Sequence, residues 1–122
     1  MAKILLIDDD TALRKTMKKI LTLGGHVSDE AEDGVAGLNL FRKGAYDLVV
    51  TDLLMPEKEG IETIIELREE QPGIKILAVS GGLSVDKEGP LADAEALGAD
   101  ASLPKPFSVE ELLSAVNDLL AS

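Results

Sequence analysis

The chain has 122 residues, the length of one domain, and 23 acidic against 12 basic residues give it a net charge of −11. This acidity argues against electrostatic binding to nucleic acid or to an anionic membrane surface, so we expect proteins or small molecules as partners. No cysteine is present, which excludes a disulfide framework and a thiolate metal site. No signal sequence precedes the first apolar run and no run reaches membrane-spanning length, so we expect a soluble cytoplasmic protein.

Apolar runs typical of buried strands alternate with helical patterns along the whole chain. Runs 3–7, 48–51 and 74–79 predict central strands buried on both faces, while the weaker runs 27–31 and 101–103 predict edge strands. The alternation predicts a single α/β domain over 1–122, a doubly wound parallel sheet with helices on both faces and no output domain after it. Periodicity does not set the strand order, but five-stranded sheets of this kind commonly run 2-1-3-4-5, and we expect that order.

Four of the predicted helices are marked by apolar positions at helical spacing or by a capping box. A fifth, between the fourth and fifth strands, is predicted from Pro90, a first-turn residue, to Gly98, a helix-ending one. Ser108 and Glu111 form the capping box that begins the last helix. The apolar faces are Leu13, Met17, Ile20 and Leu21; Leu38 and Phe41; Ile61, Ile64 and Ile65, in a helix ending before Pro72; and Leu112, Leu113, Val116, Leu119 and Leu120.

Carboxylates follow two of the predicted central strands. Asp8, Asp9 and Asp10 come directly after the first strand, and Asp52 ends the third. Because parallel strands end at one edge of the sheet, these acids should crowd together, and two carboxylates about 4 Å apart repel by roughly 4 kcal/mol. Either their pKa values rise or a cation lies among them, and oxygen ligands favour Mg²⁺ with a phosphate oxygen. We expect Asp10 to cap the first helix instead.

The same edge should receive a hydroxyl and an ammonium group. Ser80 ends the fourth strand in Val-Ser-Gly-Gly, and Lys105 follows the fifth in Pro-Lys-Pro-Phe. Each is a weak signal alone, because such loops and solvated lysines are common. The combination with the acids is what indicates phosphoryl chemistry.

The motifs Ile-Asp-Asp-Asp at 7–10, Thr-Asp-Leu-Leu-Met-Pro at 51–56, Val-Ser at 79–80, Gly-Ala-Asp at 98–100 and Lys-Pro-Phe at 105–107 resemble a CheY-like response-regulator receiver domain. The resemblance spans the entire chain. It implies that Asp52 accepts a phosphoryl group from a sensor histidine kinase, a phosphotransfer protein or a small phosphodonor. It further implies that Asp9, Asp52 and the backbone carbonyl of Leu54 bind Mg²⁺, with Asp8 reaching the ion through water.

The family also implies roles for the two residues at the ends of the later strands. Lys105 would pair with the phosphoryl oxygens and precede a cis peptide bond to Pro106, and the hydroxyl of Ser80 would be drawn to the phosphoryl group. Such a domain is a signalling module that assists only its own phosphorylation and dephosphorylation. It would act by a conformational change and contact with a downstream protein, and dimerisation stays open.

Two features depart from the family pattern. Ser102 stands where receivers usually have a switching aromatic residue. We expect Ser80 and Ser102 to be the switch residues, and either the Ser102 hydroxyl reports through hydrogen bonds in place of ring packing or the signal leaves by another rearrangement. The segment from Ser80 to Lys105 is also longer than is usual, and its glycines predict a loop over 81–89 that is mobile without phosphate and ordered with it.

Three alternatives stay open at this point. A haloacid-dehalogenase-like phosphohydrolase would use Asp8 as its nucleophile in an Asp-x-Asp motif, but Thr11 stands where that family has glycine, and no acidic pair follows the fourth strand. A flavodoxin-like FMN carrier has the same architecture, but carboxylates would repel its phosphate. The third alternative is a receiver-like binding module that is not phosphorylated.

Overall fold

A computed structural model describes residues 2–53, 60–80 and 98–122, and in them five strands form one parallel sheet in the order β2-β1-β3-β4-β5. The strands are β1 (Lys3–Ile7), β2 (Val27–Ala31), β3 (Leu48–Asp52), β4 (Lys75–Ser80) and β5 (Ala101–Pro104). This confirms the predicted order and the edge positions of the two weaker strands. All five residues of β3 are buried, as expected for a strand at the centre of a sheet covered on both faces.

Four helices cover the sheet in the described residues: α1 (Thr11–Leu23), α2 (Gly34–Lys43), α3 (Gly60–Glu70) and α4 (Val109–Ala121). Successive strand residues point to opposite faces, so the core consists of two clusters. Leu5 and Val49 pack with the side chains of α2 and α3, and Leu6 and Val50 pack with those of α1 and α4. The helix predicted from Pro90, the loop over 81–89 and the carbonyl of Leu54 lie outside the described residues.

The predicted apolar face of α3 is confirmed at Ile64 and was wrong at Ile65, and the side chain of Ile61 lies outside what the structure describes. Ile65 is 37% exposed, whereas Thr63, Ile64 and Leu67 are buried. Residues three or four apart share a helix face, so Leu67 lies beside both Ile64 and Thr63, whereas Ile65 is rotated by roughly 100° from Ile64. The predicted end of this helix before Pro72 is confirmed, since α3 ends at Glu70.

Side-chain caps begin two of the helices where the sequence predicts them. The Asp10 carboxylate accepts a hydrogen bond from the Leu13 amide at 3.1 Å, which satisfies one of the unpaired amides of α1. At the start of α4, the Ser108 hydroxyl accepts from the Glu111 amide and the Glu111 carboxylate accepts from the Ser108 amide, both at 3.0 Å. The capping box is confirmed. No helix in the described part of the chain has the length and hydropathy that crossing a membrane requires.

The capping box gives a prediction for stability. Ser108→Ala should lower the free energy of unfolding by about 1 kcal/mol, because the Glu111 amide loses its acceptor at the helix end. Urea denaturation at neutral pH measures the change. Ser114→Ala is the control, since Ser114 is exposed within the same helix, and alanine there should leave the stability unchanged or slightly raised. Equal losses in the two variants would contradict a role for the cap.

Candidate functional site

Three carboxylates meet at the carboxyl edge of the sheet. β1 and β3 are neighbours in register, with Ile7 beside Thr51, so the residues that follow them emerge side by side. Carboxylate oxygens of Asp8, Asp9 and Asp52 all lie within 4.8 Å of one another. Asp8 and Asp52 are buried and Asp9 is exposed. The sequence predicted this crowding, and it also separated these acids from Asp10, which caps α1.

Lys105 brings a positive charge to the buried pair. Its ammonium Nζ donates to Asp8 Oδ2 at 3.0 Å and to Asp52 Oδ2 at 3.3 Å. Its own amide donates to the Ser80 carbonyl at 2.8 Å, which attaches the residue to the end of β4. The peptide bond to Pro106 is cis, as the resemblance implied. One partner of the ammonium directly follows β1 and the other ends β3, so Lys105 connects the ends of two neighbouring strands.

Burial lowers the pKa of Lys105, but the hydrogen bond to Asp8 and the charges of Asp52 and Asp8 outweigh it and raise that pKa above its usual value. The lysine is therefore cationic at neutral pH. One ammonium against three carboxylates leaves an excess of negative charge in a small volume. A divalent cation would balance it, and three carboxylates that converge within ligand distance are a donor set suited to Mg²⁺.

The two serines lie at different distances from the carboxyl edge of the sheet. Ser80 is buried and is the last residue of β4, and the residue before it, Val79, pairs with Asp52. The structure therefore brings Ser80 to the same edge as the acids. Ser102 is half-buried on β5 beside Ala78, two residues back from that edge. The predicted roles of both hydroxyls stay predictions.

One residue that contacts the site, Arg14, was not predicted from the sequence. Arg14 of α1 is buried, and its Nη1 donates to the backbone carbonyl of Asp8 at 2.6 Å. A signal for it was present, because Arg14 stands three residues before Met17 and seven before Leu21, on the stripe that α1 buries. Helical side chains lean towards the amino end of the helix, which brings this guanidinium back to Asp8.

The same guanidinium also contacts Glu30 of β2. Arg14 Nε donates to Glu30 Oε1 at 3.0 Å, and Lys15 Nζ donates to Glu30 Oε2 at 3.0 Å. Burial raises the pKa of Glu30, but the hydrogen bonds from Lys15 and Arg14 and their charges outweigh it and hold that pKa below its usual value of 4.5. Glu30 therefore stays ionised and anchors the side chains of Arg14 and Lys15, with Lys18 Nζ 3.9 Å from Glu30 Oε2.

This pKa shift predicts how stability depends on pH. A carboxylate whose pKa is lower in the folded than in the unfolded protein stabilises the fold above its unfolded pKa, and the stabilisation is lost as pH falls through the folded pKa. Glu30→Gln should lower the free energy of unfolding by about 0.5–1 kcal/mol at pH 7, because the ion pairs with Arg14 and Lys15 are lost. The loss is small because water and salt screen the exposed atoms of these pairs. In urea denaturation the difference from the parent should shrink below pH 4.5. Glu32→Gln, at an exposed position nearby, is the control, and a difference independent of pH would contradict the prediction.

Comparisons with known proteins identify the family of the chain. The chain matches the family model described as the response regulator receiver domain over residues 4–117. It is 38% identical over 118 residues to the response regulator MprA of Mycobacterium sp. (strain KMS), an alignment that covers 97% of this chain and 50% of the relative. The corresponding protein of Mycobacterium ulcerans is 36% identical with the same coverage. The chain thus spans about half the length of the curated relatives it matches.

Solved structures of receiver domains have the same fold as this chain. A receiver domain protein from Clostridium thermocellum superposes with a TM-score of 0.90 at 28% identity, covering 99% of this chain and 95% of the other. Chemotaxis protein CheY4 of Vibrio cholerae superposes with a TM-score of 0.88 at 29% identity, covering 98% of each. These matches decide against the phosphohydrolase and flavin-carrier alternatives. The chain belongs to the response regulator receiver domain family, the signalling domains of two-component systems.

Proposed function

We propose that residues 1–122 act as one receiver domain in which Asp52 accepts a phosphoryl group from a sensor histidine kinase, a phosphotransfer protein or a small phosphodonor. One observation carries the proposal. Asp52 ends the most buried strand of the sheet, its carboxylate lies within 4.8 Å of those of Asp8 and Asp9, and it accepts a hydrogen bond from the Lys105 ammonium. The proposed nucleophile, the proposed metal ligands and the ammonium that would contact the phosphoryl oxygens therefore lie next to one another.

The chemistry follows from these positions. A carboxylate oxygen of Asp52 attacks the phosphorus in line, a new P–O bond forms, and the donor's bond to phosphorus breaks with its electron pair left on the leaving group. The Lys105 ammonium, which already contacts both buried acids, stabilises the negative charge on the equatorial oxygens. Asp9 and Asp52 would bind Mg²⁺ directly and Asp8 through water, with the Leu54 carbonyl as a further ligand. The bound ion would neutralise the charge of the transferring group.

The signal would leave through the later strands. The hydroxyl of Ser80 would hydrogen-bond to the new phosphoryl group, and the Ser80 carbonyl already accepts from the Lys105 amide. A shift at Ser80 therefore changes the segment that carries Lys105. Ser102 lies on the neighbouring strand, where its hydroxyl would report this shift through hydrogen bonds. The readout is contact with a downstream protein.

The phosphoacceptor assignment is tested by intact mass. After incubation with acetyl phosphate and Mg²⁺, the protein should gain the mass of one phosphoryl group, and Asp52→Asn should gain none because an amide is a far weaker nucleophile than a carboxylate. Excess EDTA should abolish the gain. An adduct that persists in Asp52→Asn would contradict the assignment. No adduct on either protein would favour the binding-module alternative.

The metal assignment is tested by stability with and without Mg²⁺. At free Mg²⁺ a hundred times its dissociation constant, binding to the folded state should stabilise the protein by about 2.7 kcal/mol. Asp9→Asn should weaken Mg²⁺ at least about tenfold, because the donor set loses a charge. Asp10→Asn is the matched control and should bind Mg²⁺ as the parent does, since asparagine also caps a helix. Equal effects of the two substitutions would contradict the predicted ligands.

A further inference from the structure

We propose that Arg14 is the positioning residue for the metal-binding acids, and that Glu30 anchors it. The guanidinium fixes the backbone of Asp8, so that the carboxylates of Asp8 and Asp9 stay within ligand distance of Asp52. The inference rests on the proposed function, which it deepens by naming what holds the acids in place.

Arg14 connects three parts of the fold at one point. Its side chain begins on α1, its Nη1 donates to the Asp8 carbonyl just beyond β1 at 2.6 Å, and its Nε donates to Glu30 on β2 at 3.0 Å. Only 9% of Arg14 is exposed. A guanidinium is planar and presents its donors at fixed angles, so one partner orients it towards the other. A lysine, with a single donor atom on a flexible stem, would not span the same two acceptors in this way.

The hydrogen bond from Arg14 orients the backbone because its acceptor is the carbonyl oxygen of Asp8. The carbonyl of Asp8 belongs to the peptide unit that joins Asp8 to Asp9, and that unit is planar. A bond to its oxygen therefore sets the direction in which the chain continues to Asp9. The other polar atoms of Asp8 are bonded as well: its amide donates to the Ala31 carbonyl at 3.1 Å, Oδ1 accepts from the Asp10 amide at 2.9 Å, and Oδ2 accepts from Lys105 at 3.0 Å.

Asp9 depends on this peptide unit more than its neighbours do. Asp8 is buried and held at four atoms, whereas Asp9 is exposed, and within the described ranges its carboxylate has no hydrogen-bond donor. Its approach to the other two acids is therefore set by the backbone. Arg14 supplies the side-chain contact on that backbone, and this makes it a residue of the metal site without being a ligand.

Arg14 could affect Mg²⁺ affinity through its charge or through its hydrogen bond to Asp8, and the test must distinguish these two effects. A cation near the site weakens metal binding, and Glu30 offsets that effect by pairing with it. Arg14→Gln alone would change both charge and position. The double variant Arg14→Gln with Glu30→Gln removes one charge of each sign, so the net charge stays the same while the bond to Asp8 is lost. Lys15→Gln is the matched control, because Lys15 pairs with the same Glu30 at 3.0 Å.

The first readout is the affinity of the full chain for Mg²⁺, measured by titration calorimetry. The double variant should bind about tenfold more weakly than the parent, the usual loss when a group that orients metal ligands is removed. Lys15→Gln should stay within about twofold, and Arg14→Lys, which keeps the charge, should fall between them. A folded double variant that binds Mg²⁺ as the parent does would overturn the proposal. A loss of the same size in Lys15→Gln would also overturn it, since the effect would then belong to Glu30.

The second readout is made without metal and therefore separates this inference from the function it rests on. Hydrogen exchange of the Asp10 amide, which donates to Asp8 Oδ1, should be faster in the double variant, while the Glu111 amide in the cap of α4 should be unchanged.

The two readouts distinguish failure of the proposed function from failure of this inference. If the parent binds no Mg²⁺, the proposed function fails. Unchanged exchange at the Asp10 amide in the double variant would overturn the positioning role separately. If the double variant does not fold, Arg14→Lys is compared with the parent by the same two readouts, and parental values in both would overturn the proposal.

Discussion

The repulsion between three carboxylates at one edge of the sheet is the constraint on which the rest of this site depends. Asp8 and Asp52 are buried, and their charges are costly to hold there without a partner. Lys105 supplies one positive charge to both. The charge that stays unbalanced makes this edge a donor set suited to a divalent cation, and the proposed phosphoryl transfer rests on it. Acids placed directly at the ends of two buried strands lower the stability of the fold, and such exceptions are expected at functional sites.

The sheet supplies the precision that such a site needs. Neighbouring parallel strands have a fixed spacing and register, so the ends of β1, β3 and β4 come together without long loops. Lys105 is attached to this frame through its backbone bond to Ser80. Arg14 adds a second attachment from α1, because it contacts the backbone carbonyl of Asp8, whereas the lysine contacts the carboxylate. Asp8 is thus held both by its side chain and by its backbone.

The sequence predicted which acids and lysine meet at this edge of the sheet better than it predicted the contacts that support them. Acids at strand ends and a lysine between prolines stand out from their neighbours, and the resemblance to receiver domains assigned them roles. Arg14 did not stand out, because α1 has three other basic residues, Lys15, Lys18 and Lys19, and nothing local separates a buried arginine from exposed lysines except its place on the apolar stripe. Ile65 was misplaced for the converse reason, since an apolar residue does not by itself specify which side of a helix faces the core.

The strand order was expected only because five-stranded sheets of this kind commonly adopt it, and the tertiary structure decided it. The sequence by itself determined the fold class, the caps of α1 and α4, and which strands are followed by acids. These features are local or repeat with a period of two or about four residues, so they can be read along the chain. Only the tertiary structure decided that three carboxylates converge within 4.8 Å, that Lys105 bridges two of them, and that Arg14 connects Asp8 to Glu30. These contacts join residues from 6 to 97 positions apart. Their distances are set by the packing of helices against the sheet, a property of the whole fold that no local pattern specifies.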